Sequence, residues 1–68
     1  MRKFALRLKE LREEKDLTLI ELSEQTGINI ASLSRWENGK ADIRSDQLIT
    51  LAKFFGCTVG YLVGTESD

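Results

Sequence analysis

Residues 18–40 read TLIELSEQTGINIASLSRWENGK, and their spacing predicts two short helices joined by a tight turn. Thr18 stands three residues before Glu21, a capping box in which each side chain satisfies a backbone N–H left open at the helix start. Leu17 and Leu22 occupy the two positions of a hydrophobic staple. Gly27 allows the left-handed conformation that ends a helix at low steric cost, and Asn29 is a good cap for the next one. Ile28 and Leu33 repeat the staple. The second helix is expected over residues 30–38 with a stop at Gly39, so two starts and two stops fall within about two dozen residues. Helices this short do not persist alone and must pack on neighbours.

On the second of these helices the 3.6-residue period groups Leu33, Trp36 and Glu37 on one side. Ile30, Ala31, Ser34, Arg35 and Asn38 fall on the other. The first group is expected to face inward and the second outward. An outer surface of small, apolar and hydrogen-bonding side chains around one Arg differs from an ordinary solvated face rich in Lys and Glu. It suits the floor of a DNA major groove.

Outside this stretch the pattern is also helical. Phe4, Leu8 and Leu11 form one stripe on a first helix with Arg12 at its edge, and Leu6 lies on the opposite side. Leu48, Leu51, Ala52 and Phe55 repeat the pattern on a later helix that Gly56 ends, with Ser45 as its expected cap. Thr58 is suited to cap a last helix, with Leu62 packing back on Cys57, and Gly64 ends it before a polar tail. Neither a repeat nor a linker interrupts the chain. It reads as one domain over residues 1–68, with 1–3 and 65–68 expected as frayed tails.

The chain has 68 residues, of which 41 % are hydrophobic, with no Pro and five Gly. A domain of this size buries only about 60 % of the surface that its unfolded chain exposes, so modest stability is expected. No apolar run approaches the roughly 20 residues that span a bilayer, and the N-terminus lacks a signal-peptide core, so a cytoplasmic protein without membrane partners is expected. The single Cys57 cannot form an internal disulfide and reads as a buried filler in preference to a redox switch.

The net charge is −1 and the pI about 5.4, which argues against gripping nucleic acid chiefly by bulk attraction. The distribution says more. Residues 1–15 carry six basic and three acidic side chains, and residues 29–45 three basic and two acidic. The remaining segments are net acidic. Positive charge therefore gathers on the first helix and around the helix at 30–38.

The motifs RLKELREEKDLT, ELSEQTGI, LSRWENGK and LITLAKFFG, followed by TVGYLVG, resemble in order and spacing the helix-turn-helix domain of the lambda-repressor, Cro and C1 type. The resemblance covers residues 8–62 and implies an all-α, compact five-helix domain in which the second and third helices form the DNA-reading unit. It assigns base contacts to Ile30, Ala31, Ser34 and Arg35, and phosphate contacts to Asn29, Asn38, Lys40 and Arg44. It also implies an ion pair between Arg12 and Glu37 that belongs to the fold. Relatives dimerise, often through the last helix, which points to Val59, Leu62 and Val63 as contacts in a homodimer. The chain departs from the pattern at Leu19, where many relatives have Gln, at Ile43 in place of Pro, and at Gly60 in place of Asp or Glu.

Each assignment has a plainer counterpart. Trp36 is able to stack on a base, yet its place opposite the reading face makes it a core residue. Arg35 also reads as a solvated charge. Ile30 and Ala31 either meet thymine methyl groups or pack at their helix start. Lys40 and Arg44 serve phosphate or simply solubility, and Asn38 alternatively only finishes its helix. Val59, Leu62 and Val63 read equally as core.

The expected function is a sequence-specific transcriptional regulator, a repressor bound as a homodimer that inserts the helix at 30–38 into the major groove of a palindromic or pseudo-palindromic double-stranded operator. A rival of another class is a protein-binding module of the same fold, an antitoxin or antirepressor, with Leu19, Ile20, Ile30 and Ala31 as its apolar interface. An enzyme is disfavoured. The chain has no His, its lone Cys has no base partner, and metal-ligand clusters and glycine-rich phosphate loops are lacking, so no cofactor, metal or small-molecule ligand is expected.

Overall fold

The computed structural model describes residues 2–40 and 42–65. Five helices follow one another without a strand among these residues: α1 (Arg2–Glu14), α2 (Leu19–Thr26), α3 (Ile30–Glu37), α4 (Ser45–Phe55) and α5 (Val59–Val63). α1 lies against α3 and α5, α2 against α3 and α4, and α4 against α5. None of these helices is long and apolar enough to cross a membrane. α1 opens at Arg2, so Arg2 and Lys3 are helical, while Met1 and residues 66–68 of the expected tails lie outside the described residues.

The core is assembled from the stripes that the periodicity predicts. Phe4 and Leu8 of α1, Leu22 of α2, Leu33 and Trp36 of α3, Leu51 of α4 and Leu62 of α5 are fully buried. Leu11, Leu48, Phe55 and Cys57 are half-buried against them, and Leu6 is exposed. The Phe4 and Trp36 rings meet with centroids 6.2 Å apart, which joins α1 to α3. Phe54, absent from the predicted stripe, also packs on the core and meets Phe55 edge-on at 5.0 Å.

Local signals set the helix boundaries. The Glu21 N–H donates to Thr18 Oγ1 (3.1 Å) while the Thr18 N–H donates to Glu21 Oε1 (2.9 Å), so both halves of the capping box form. Gly27 takes a φ of 75° and its N–H donates to the Ser23 carbonyl, which closes α2. The turn that follows is tied by side chains: Ser23 Oγ donates to the Ile28 carbonyl (2.5 Å) and Thr26 Oγ1 accepts from the Ile28 N–H (3.3 Å). This fixes the angle between α2 and α3. Two boundaries differ from expectation. α3 ends at Glu37 with Asn38 as its cap. α4 is capped at Arg44, not Ser45, because the Gln47 side chain reaches back to accept from the Arg44 N–H (3.0 Å).

Replacing Thr18 with Ala removes the acceptor in this box and is expected to cost about 1 kcal/mol. In a domain of this size that lowers the melting temperature by about 4 to 8 °C. An unmoved thermal transition would show that α2 does not depend on its cap.

Candidate nucleic-acid interface

α3 presents two unlike flanks. Leu33 and Trp36 are 0 % and 1 % exposed, and Glu37 is half-buried beside them. Ile30, Ala31 and Arg35 are exposed, and Ser34 is half-buried. The helix is thus anchored along one side by large apolar side chains, and the opposite side holds two apolar residues, a hydroxyl and a guanidinium. Such a surface offers methyl contact, a small donor or acceptor, and a planar fork of donors.

Arg35 does not stand alone. Its Nη2 donates to Asp42 Oδ2 at 2.7 Å, while the other oxygen of the same carboxylate accepts from Trp36 Nε1 at 2.9 Å. The Arg35 side chain keeps 47 % of its surface exposed and that of Asp42 59 %. The Trp36 N–H, and to a lesser degree the Arg35 charge, hold the Asp42 carboxyl below the usual Asp range. A depressed carboxylate stabilises the fold above its unfolded value of about 3.9 and ceases to do so as pH falls through the lowered one. At neutral pH the bridge is in place. Sequence reading did not find Asp42, which lies beyond α3 and meets it only because the following segment turns back.

The four residues assigned to phosphate sit around α3. Asn29 caps the helix through Oδ1, which accepts from the Ala31 N–H at 2.7 Å, and its amide N–H groups remain for another acceptor. Asn38 Nδ2 donates to the Ser34 carbonyl at 2.8 Å, so this side chain does finish its helix. Lys40 is exposed. Arg44 is exposed and lies 3.4 Å from Asp46, an exposed ion pair that holds it weakly.

Behind this surface Arg12 grips Glu37 through two hydrogen bonds, Nε to Oε2 at 2.7 Å and Nη2 to Oε1 at 2.9 Å. Its Nη1 donates to the Leu17 carbonyl at 2.8 Å. The pair is largely removed from solvent, with side-chain exposures of 14 % and 8 %. The hydrogen bond to Glu37 is the main reason that Arg12 holds its proton more tightly than usual, against the opposing effect of burial. α1 is thereby clamped to the end of α3.

One assignment is corrected. Leu62 is fully buried in the core, so it presents no surface to a second copy, and Val59 and Val63 are half-buried. In a helix of five residues the single stripe that exists is used by the domain's own interior. Of the apolar residues assigned to a protein interface, Leu19 is half-buried against the core, whereas Ile20, Ile30 and Ala31 are exposed. Sequence reading also missed Arg7, whose Nη1 donates to the Tyr61 carbonyl at 2.9 Å while its guanidinium lies 4.0 Å from the Tyr61 ring centre. That contact ties α5 to α1.

Comparison with known proteins places this arrangement among relatives. A family model described as Helix-turn-helix matches residues 8–62. The chain is 35 % identical over 63 residues to the HTH-type transcriptional activator BcrR of Enterococcus faecalis, covering 93 % of the chain and 31 % of that protein. It is 31 % identical over 65 residues to an uncharacterized HTH-type transcriptional regulator, YobD, of Bacillus subtilis (strain 168), covering 96 % of the chain and 58 % of that protein. The chain therefore spans about a third and somewhat over half of these two relatives. No solved structure gives a significant match.

Proposed function

Because the chain belongs to the Cro/C1-type helix-turn-helix family of transcriptional regulators, we propose that it binds a specific DNA operator by inserting α3 into the major groove. The observation that carries this reading is the division of α3: Leu33 and Trp36 are locked in the core, which leaves Ile30, Ala31 and Arg35 facing out with Ser34 beside them. Arg35 is the guanine reader in this scheme: its bridge to Asp42 takes one N–H of Nη2, and the second Nη2 N–H together with Nη1 or Nε forms an edge for a bidentate contact. Ile30 and Ala31 meet thymine methyl groups. Asn29, Lys40 and Arg44 set the register on phosphate, and such contacts carry no sequence information directly.

One small domain makes few contacts, so two copies bind half-sites about 34 Å apart on one face of the duplex. Val59 and Val63 remain the candidate contacts between copies. Repression is the proposed outcome for this domain, because occupying a promoter is sufficient to block it. The relative named as an activator shares only 31 % of its length with this chain.

A salt titration on duplex DNA separates this reading from a protein-binding module built around Ile20 and Ile30. Site-selective binding that weakens steeply with salt is expected of the regulator, because neutralised phosphates release counterions. Lys40→Ala is expected to weaken binding to all sequences alike and to reduce the salt slope by about one. Affinity indifferent to both DNA sequence and salt would contradict the proposal, and a Lys40→Ala effect confined to one base pair would remove Lys40 from the phosphate set.

A further inference from the structure

We propose that Asp42 is a specificity-determining residue, whose carboxylate holds the Arg35 guanidinium in its reading orientation and opposes its use as a general phosphate anchor. The inference rests on Arg35 as the base-contacting residue proposed above. It starts from the two different neighbours that share one carboxylate.

Oδ1 of Asp42 accepts from the indole N–H of Trp36, a side chain that is 1 % exposed and wedged against Phe4. Trp36 cannot shift without opening the core, so the carboxylate inherits a fixed position. Oδ2 then accepts from Arg35 Nη2. Adjacent residues on a helix point about 100° apart, and Asp42 spans that angle, joining an interior side chain to one on the outer face. The guanidinium has five N–H donors. The bridge to Asp42 runs through Nη2, so a second acceptor pair is still within its capacity.

An ion pair this exposed adds little to folding. Its consequence lies in the order it imposes on a long side chain. Holding one rotamer-rich side chain in place before association is worth about 2- to 10-fold in affinity. The same carboxylate also subtracts negative potential tolerance from the face that meets DNA: a phosphate approaching Arg35 is repelled by Asp42, whereas a base edge carries no net charge. Discrimination gains from the unfavourable contact as well as the favourable one. This fits a chain of net charge −1 that must bind a polyanion selectively.

The test uses Asp42→Asn, in which the amide oxygen still accepts from Trp36 while the NH2 group faces Arg35 and cannot pair with it. Preferred duplexes are selected by the wild-type chain from a pool with a random tract of about 25 base pairs, long enough for two half-sites one turn apart. Single base-pair substitutions of the selected duplex are then titrated with wild type, Asp42→Asn, Arg35→Ala and the double variant.

The expected result is that Asp42→Asn lowers discrimination about 2- to 10-fold at the base pair whose preference Arg35→Ala also flattens. Preferences elsewhere stay as they are, and binding to unselected duplex rises. In the Arg35→Ala background the Asn substitution no longer alters any base preference. Full discrimination in Asp42→Asn, alongside a loss in Arg35→Ala, overturns the role of Asp42. Equal weakening at every base pair and in both backgrounds overturns it too, because that marks a structural defect. If Arg35→Ala itself leaves every preference intact, the underlying assignment of Arg35 fails instead.

Discussion

Arg12→Ala is expected to destabilise the domain by about 3 to 5 kcal/mol, the cost of leaving one member of a buried ion pair unpaired. Glu37 keeps 8 % of its side-chain surface exposed, so its carboxylate loses both hydrogen bonds without regaining much water. The Leu17 carbonyl loses its donor in the same step. A domain of this size has only about 5 to 10 kcal/mol of stability in total, so the variant is expected to keep about 0 to 7 kcal/mol and to melt well below the parent chain. Urea unfolding followed by circular dichroism measures the loss. The double variant Arg12→Leu with Glu37→Leu is expected to recover much of it, since an apolar pair of comparable volume removes the orphaned charge. A melting temperature unmoved by Arg12→Ala would show that the clamp between α1 and α3 contributes nothing.

Arg35→Ala is expected to leave folding intact and to lower affinity for the cognate site by about 1 to 3 kcal/mol. The two arginines differ in what surrounds them. Arg12 is enclosed, whereas the Arg35 side chain is 47 % exposed and its one ion pair lies at the surface. Its loss therefore removes contact with DNA and little of the core. Electrophoretic mobility shifts on the selected site and on its single-base variants measure the change, with preference at one base pair relaxed and the others kept. An unaltered affinity for the cognate site would remove Arg35 from the reading surface.

Much of the architecture was legible because its signals are local. The capping box at Thr18 and Glu21, the left-handed Gly27 and the cap at Asn29 act over three or four residues, and each forms as their spacing predicts. The placement of Leu33 and Trp36 inside and Arg35 outside follows from helical period alone. The Arg12–Glu37 pair was implied by family resemblance and spans 25 residues, a distance over which periodicity says nothing.

What stayed illegible depends on how distant segments return. Asp42 reaches both Trp36 and Arg35 only through the path of the segment after α3, and Arg7 finds the Tyr61 carbonyl 54 residues away. Leu62 was assigned to a dimer surface by the family resemblance, with core packing as the alternative, and in a five-residue helix the period cannot decide between the two. The stop of α1 was equally hidden. Asp16 takes a φ of 55°, a left-handed conformation that Asp tolerates better than most residues, and its neighbour Leu17 bonds back to the Arg12 carbonyl.

The most direct test of the proposed reading surface is a nuclear magnetic resonance titration of the isotope-labelled chain with a duplex selected from a random pool. The largest shift changes are expected to cluster on Asn29, Ile30, Ala31, Ser34 and Arg35, with smaller ones at Lys40 and Arg44. Changes confined to α5 or to the exposed side of α1, with α3 silent, would contradict it.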